Sequence, residues 1–347
     1  MNGVPRLLAP PRRVMAGLLA ALALGEAVLA VVFAAALERV LSTAHAPSES
    51  LLAAGGIAAL AAATLLLARW VGEDFAQSFV SDCRKALFEA VTRRPGGDKL
   101  GGEDARWLTA LINDMAALRH YALRGTVRLW TSTLAAGAAG AWVFAMMPGL
   151  RAGLVPLLTG GIAVLLAVWP LSRAIASQRR QRGKLNRFLV RRVRAELAGE
   201  VAPRRHGFKK LALLSEELTH SAVARARSAG TMDAAATFAG LAAALVIVWQ
   251  SRALTTSGGT AGLAGSLTLL GFIAARLLES ARALHARIGG RLAIRRLAQL
   301  LEPGRAMPAA RPRRRSPLGW AMRLLGNRPA LPAPAGNARG YSEETRS

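Results

Sequence analysis

Residues 51–92 read LLAAGGIAALAAATLLLARWVGEDFAQSFVSDCRKALFEAVT. Up to Gly72 the run is apolar apart from Arg69. About 20 such residues cross a ~30 Å hydrocarbon core as a helix. Lipid offers no partner to backbone N–H and C=O groups, so the run must be helical. The helical pattern outlasts the apolar run. Phe75, Phe79, Leu87 and Phe88 fall on roughly one side across Phe75–Thr92, with no internal proline or glycine. The helix is therefore expected to continue well beyond the membrane. Pro95-Gly96-Gly97 breaks it, Gly101-Gly102 permits a second reversal, and Glu103–Arg128 leads back as another helical pattern.

Similar apolar runs at 14–37, 127–148, 152–175, 231–253 and 261–283 bring the expected spans to six. Alanine and glycine saturate them, as at Ala135–Ala141 and Ala234–Ala244, and small residues let helices approach closely in lipid. The chain is 52% hydrophobic yet carries a formal charge of +26. A soluble nucleic-acid binder shares such a charge but has no use for six uninterrupted apolar runs. Arg6, Arg12 and Arg13 precede the first span, the segment Glu73–Arg128 holds nine Lys/Arg, and Arg173–Arg227 holds fifteen. The opposite turns carry little beyond Arg39, Arg151 and Arg252. The positive-inside rule then puts both termini and both long loops in the cytoplasm.

The first run, with a basic start and Ala34-Ala35-Ala36 after it, also has the outline of a cleaved signal, but it exceeds an ordinary h-region. Its removal would also leave an odd span count, so a retained helix is expected. Cys83 is the only cysteine, which excludes an intrachain disulfide and a thiolate metal site. Arginine far outnumbers lysine and alanine dominates the spans, as in GC-rich bacterial genomes, which points to a bacterial inner membrane.

The second long loop repeats the plan of the first. Arg173–Glu200 reads as a helix with a basic face, Pro203 interrupts, and Phe208–Ser228 returns to the fifth span. Each loop is thus expected to be a helical hairpin reaching roughly 30 Å below the membrane. The sixth span also overruns, to about Glu302. After Pro303 the sequence turns Pro/Arg/Gly-rich, so 303–347 is expected to be a largely disordered basic tail. Within it, Pro317–Arg328 is either part of that tail or a short interfacial helix on the anionic leaflet.

Several local features resemble the transmembrane domain of ABC-type exporters over about residues 10–302. Arg84-Lys85-Ala86-Leu87-Phe88 followed by Pro95 resembles the descent to its first coupling helix. Gly102-Glu103, then Asp114 with Arg119, resemble its ascending helix. Ala293-Ile294-Arg295-Arg296-Leu297 with Leu300-Leu301-Glu302 is similar to the exit from its sixth helix. The resemblance implies an all-α membrane fold of six transmembrane helices with two long cytoplasmic hairpins. It also implies loop tips, near Arg94, Pro95, Gly97, Leu100 and Gly102 and near Pro203, Phe208 and Leu211, that dock on an ATPase. Pro203-Arg204-Arg205-His206 departs from the smoother stretch usual in that family. No G-x-x-x-x-G-K-[ST] occurs, Gly183-Lys184-Leu185 being the nearest, and the 45 residues after Glu302 are too few for an ATPase domain. No cofactor is expected on this chain, ATP and Mg entering through a partner. That partner is a nucleotide-binding subunit or a full-length half-transporter, and two such membrane domains are expected to pair as a homodimer or heterodimer.

Charges inside spans are costly and so are the first functional candidates. Glu26 lies near the middle of the first span, and Arg276 and Glu279 in the lower part of the sixth. In the resembled fold these helices line the pathway. Two readings stay open: groups on an aqueous route, or structural pairing, with Arg276 and Glu279 as an i,i+3 pair and the arginine snorkelling. Counting along the spans sets Glu26 and Arg276 roughly 10 Å apart along the normal, so a direct pair requires tilt or offset. The five histidines show no metal-ligand spacing, and no nucleophilic arrangement is visible. The basic face at 179–194 lacks interleaved aromatics, so it is expected to be solvated or to face lipid headgroups, with no nucleic-acid partner.

The reading reached is the membrane subunit of an ABC-type exporter for an unidentified solute or lipid, not an enzyme by itself. Two rivals stand beside it. One is a proton-driven secondary transporter with Glu26 as the proton carrier, as in permeases that resemble such domains without their ATPase. The other is a non-transporting scaffold or regulator.

Overall fold

The computed structural model describes residues 4–42, 48–92, 115–199, 204–254 and 261–301. Among them are six helices long and apolar enough to cross a membrane, and no strand. The chain is an all-α, multi-pass membrane protein. We number the helices α1 (Pro10–Ser42), α2 (Ser48–Thr92), α3 (Met115–Met146), α4 (Arg151–Leu197), α5 (Arg204–Leu254) and α6 (Ala261–Leu301).

Length separates these helices from simple spans. At 1.5 Å per residue, α2 with 45 residues, α4 with 47 and α5 with 51 run to about 68–76 Å, more than twice the hydrocarbon thickness. Their apolar halves face outward: Leu52, Trp70, Leu166, Trp169, Leu245 and Trp249 are all exposed, as side chains that meet lipid should be. Pro156 and Pro170 lie inside α4 without ending it. The end comes at Gly199, whose φ of +74° is the left-handed geometry of a helix C-terminus, before the expected break at Pro203. Pro203 itself lies outside the described residues.

Four packing clusters hold the bundle together, the smallest being Leu19 of α1, Phe75 of α2 and Val127 of α3. Ala27, Ala139, Val143, Leu157, Ala243 and Leu269 join α1, α3, α4, α5 and α6 within the apolar zone. Beyond it, Phe79, Val80, Cys83 and Leu87 of α2 pack on Met115 and Leu118 of α3 and on Ala293 and Leu297 of α6. On the other side, Leu171 and Ile175 of α4 meet Met232 and Ala236 of α5 and Ala281 of α6. The α2 extension therefore buries Phe75, Phe79 and Leu87 as expected, but Phe88 is turned outward. At 100° per residue Phe88 cannot share the face of Leu87, and Cys83 occupies that face instead.

Close approach is fixed by glycines. A Cβ on Gly265 of α6 would lie 2.7 Å from the Ala34 carbonyl of α1, and one on Gly125 of α3 would lie 2.7 Å from the backbone of Arg287. Gly125 belongs to a π-helical stretch, Tyr121–Val127, which widens α3 where it crosses α6. This local geometry has no counterpart in the apolar pattern. At the chain's start, Arg12 is wholly buried. It donates to the Leu7 carbonyl at 2.8 Å, the Arg6 carbonyl at 2.6 Å and Asp82 of α2 at 2.5 Å.

Candidate functional site

The three span charges singled out by the sequence come together. Arg276 donates to Glu26 of α1 and, at 2.7 Å, to Glu279 of its own helix. Glu279 in turn accepts from Arg128 of α3. The result is an alternating ribbon, Glu26–Arg276–Glu279–Arg128, that ties α1, α6 and α3 and is electrically neutral as a unit. Each charge is thereby paired, which is the condition for keeping it at that depth. Arg276 also lies 5.1 Å from the Phe272 ring centroid.

The expected ~10 Å offset between Glu26 and Arg276 is corrected by the register of α1 on α6. With Gly265 seated at Ala34, Glu26 is eight residues from the contact and Arg276 eleven. Their heights then differ by about 4 Å, within an arginine's reach. Arg128 is the member that sequence reasoning missed. It sits at the head of the third apolar run, where it counts as one more basic loop residue, and only its packing against α6 reveals its partner.

Two cavities meet at this ribbon. The larger, about 920 Å³, lies between α3, α4, α5 and α6. Among the described residues its wall carries Arg124, Arg128, Arg179, Arg225, Arg276 and Arg282, with Glu279 its one carboxylate. Several of these arginines are positioned by neighbours: Arg179 donates to the Gly289 carbonyl, Arg225 to Gln178 at 3.1 Å and to His285 at 3.3 Å, and Arg282 reaches Asp233 at 3.5 Å. The second cavity, about 400 Å³, lies between α1, α2, α3 and α6 and shares Arg124, Arg128, Arg276 and Glu279 with the first. The ribbon and Arg124 thus form a partition between the two. Arg119 pairs with Glu73 at 2.7 Å on the far wall, and this contact holds the Glu73 carboxyl below its usual range.

Most basic residues of the face at 179–194 are exposed, among them Arg180, Arg182, Arg187, Arg191 and Arg194, and a few are tied to neighbours. Arg179 turns inward to α6, Lys184 lies 3.6 Å from Glu217 and Arg192 pairs with Glu196 at 2.8 Å. His120 and His285, which look scattered in sequence, line the same large cavity. Of the expected coupling residues, Phe208 is exposed near the start of α5 and Leu211 is half-buried. Arg94, Pro95, Gly97, Leu100, Gly102 and Pro203 lie outside the described residues, as do Gly102-Glu103 and Asp114 of the resemblance and the tail 303–347.

No protein-family model matches this sequence, and no curated protein matches it. The membrane-spanning class therefore rests on the helices themselves.

Proposed function

We propose that the chain is the membrane-spanning subunit of an ABC-type exporter, carrying a solute or lipid-like molecule outward while a partner subunit hydrolyses ATP. One observation carries this reading. Helices α2, α4 and α5 are more than twice as long as the membrane is thick, and each contributes to the walls of the polar cavities that flank a neutral ion-pair ribbon. Such helices act as levers. A displacement at the far tips tilts the segments that frame the cavities, and rigid packed elements transmit it without deforming. The ribbon suits that motion because Arg276 and Glu279 at its centre each hold two partners, so either keeps one contact when the other opens.

In this reading the basic extensions lie in the cytoplasm, the tips near Arg94–Gly102 and Pro203–Leu211 seat on the ATPase, and a second membrane domain completes the pathway. The proton-driven alternative is supported by Glu26, an acid at the junction of the second cavity and an apolar groove. Purification in mild detergent separates the two. The exporter reading expects a stoichiometric ATP-binding subunit. The alternative expects none, together with flux in reconstituted vesicles driven by a pH gradient without ATP.

A further inference from the structure

The extension of α4 beyond the membrane carries an apolar strip that no other described element covers. Leu189, Val190, Val193 and Leu197 are exposed by 39%, 60%, 57% and 85%. They lie about 21–33 Å past Ile175, where the fourth apolar run ends, at 1.5 Å per residue. That distance clears the headgroup layer, so lipid does not cover them. Helix α5 packs on another side of α4. Lys210 of α5 stands 5.7 Å from the Phe188 ring centroid, and a Cβ on Gly207 would lie 3.5 Å from Arg192. At about 100° per residue Val193, Leu197 and Val190 fall roughly 140–200° round the helix from Phe188, on the side away from α5. Apolar side chains that form a contiguous strip outside lipid mark a protein contact.

A row of arginines borders the strip on one flank. Arg194, Arg187 and Arg191 come next round the helix after Val190, at roughly 240–300° from Phe188. All three are exposed, and none forms an ion pair among the described residues. Arg187 donates to the Gly183 carbonyl of its own helix at 3.2 Å, which positions its charge without cancelling it.

This pattern narrows the occupant. Positions 190, 193 and 197 repeat at i, i+3 and i+7, the spacing that packs against another helix. The arginine row calls for acids on the facing flank of that helix. A second copy seated strip to strip offers none, because the only acid in α4, Glu196, is held by Arg192 at 2.8 Å. Neither long segment outside the described residues has acids in excess: 303–347 holds nine arginines against two glutamates, and 93–114 holds four bases and four acids. Nucleic acid would leave the strip uncovered, since it is bound through phosphate contacts and stacking aromatics.

We propose that the α4 extension docks an acidic amphipathic helix of a partner protein, its apolar seam on Val190, Val193 and Leu197 and its carboxylates along Arg187, Arg191 and Arg194. The surface lies on the side of α4 and not at the loop tips, so the inference does not rest on the exporter reading. The test uses the full chain in neutral phosphatidylcholine nanodiscs and a labelled three-heptad peptide with leucine in the seam and glutamate on the flanks. Fluorescence anisotropy compares it with one peptide carrying serine in the seam and another carrying lysine on the flanks. Saturable binding of the first is expected, with the other two at least about tenfold weaker. Val193→Asp should weaken it about tenfold by setting a carboxylate in the seam. Arg187→Glu combined with Arg191→Glu should lose the glutamate peptide and accept the lysine peptide, a reversal that adsorption to a basic protein does not produce. These positions are exposed, so melting temperatures should not change. If Val193→Asp lowers the melting temperature, Val190→Ser takes its place. Binding of the glutamate peptide that does not saturate, equal binding of the serine peptide, or a reversed variant that refuses the lysine peptide overturns the proposal. So does a change in the chain's own oligomeric state with Val193→Asp, which assigns the strip to a second copy.

Discussion

Arg276 joins α6 to α1 through Glu26 while keeping Glu279 of its own helix as a second partner. The asymmetry has a consequence. Removing Glu26 leaves Arg276 still paired, but removing Arg276 strands Glu26. Arg276→Gln should therefore cost about 3 kcal/mol, the low end for breaking a buried pair, and Glu26→Gln about 1 kcal/mol. The double variant should be less destabilised than the sum. Unfolding midpoints in detergent give the order and the coupling.

Arg12 should behave as a structural anchor despite its place near the chain's start. Its guanidinium serves two carbonyls and Asp82 from a wholly buried position, a geometry lysine cannot reproduce. Arg12→Lys should destabilise by about 2–3 kcal/mol, while Arg13→Lys on the exposed side should change stability by less than about 0.5 kcal/mol. Thermal unfolding of the two variants side by side checks this.

Gly125 and Gly183 offer a matched pair. A methyl group at Gly125 meets the Arg287 backbone, which has no rotamer with which to yield, whereas one at Gly183 in α4 meets nothing within 4 Å. Gly125→Ala should separate α3 from α6 and lower the melting temperature. Gly183→Ala should raise stability by about 0.5–1 kcal/mol through backbone entropy alone.

Cys83, beyond the apolar run of α2, is fully buried, and burial pushes its thiol up to about 12. The thiol stays protonated at neutral pH, so maleimide should label it only after denaturation. The folded state holds that proton more tightly than the unfolded one. This contribution to stability is therefore complete below about 9 and is lost as pH rises toward about 12. Labelling rates with and without denaturant, followed against pH, measure both.

The spans were legible because lipid forces one solution on a 20-residue apolar run. The overrun of α2 was equally plain from Phe75, Phe79 and Leu87, which keep helical spacing after the apolar residues end. The site was only half legible. Glu26, Arg276 and Glu279 stand out because charge in an apolar run is rare. Arg128, Arg179 and Arg225 do not, because a basic residue in a basic loop carries no local mark of the partner it will meet. Phe88 shows the opposite limit, since an aromatic residue one position off the buried face reads as core until a neighbour is placed against it. The π-helical stretch at Tyr121–Val127 answers to the crossing of α3 and α6, a tertiary demand absent from any single segment.

The ATPase rate of the co-purified partner, measured in nanodiscs with wild-type chain and with Leu100→Asp, tests the central claim most directly. Leu100 lies at the expected tip of the first loop, where a charge forced into a docking groove is left unpaired. The exporter account predicts that the wild-type chain stimulates hydrolysis and that Leu100→Asp assembles with the partner but abolishes the stimulation. Equal rates for the two, in complexes of the same composition, would contradict it.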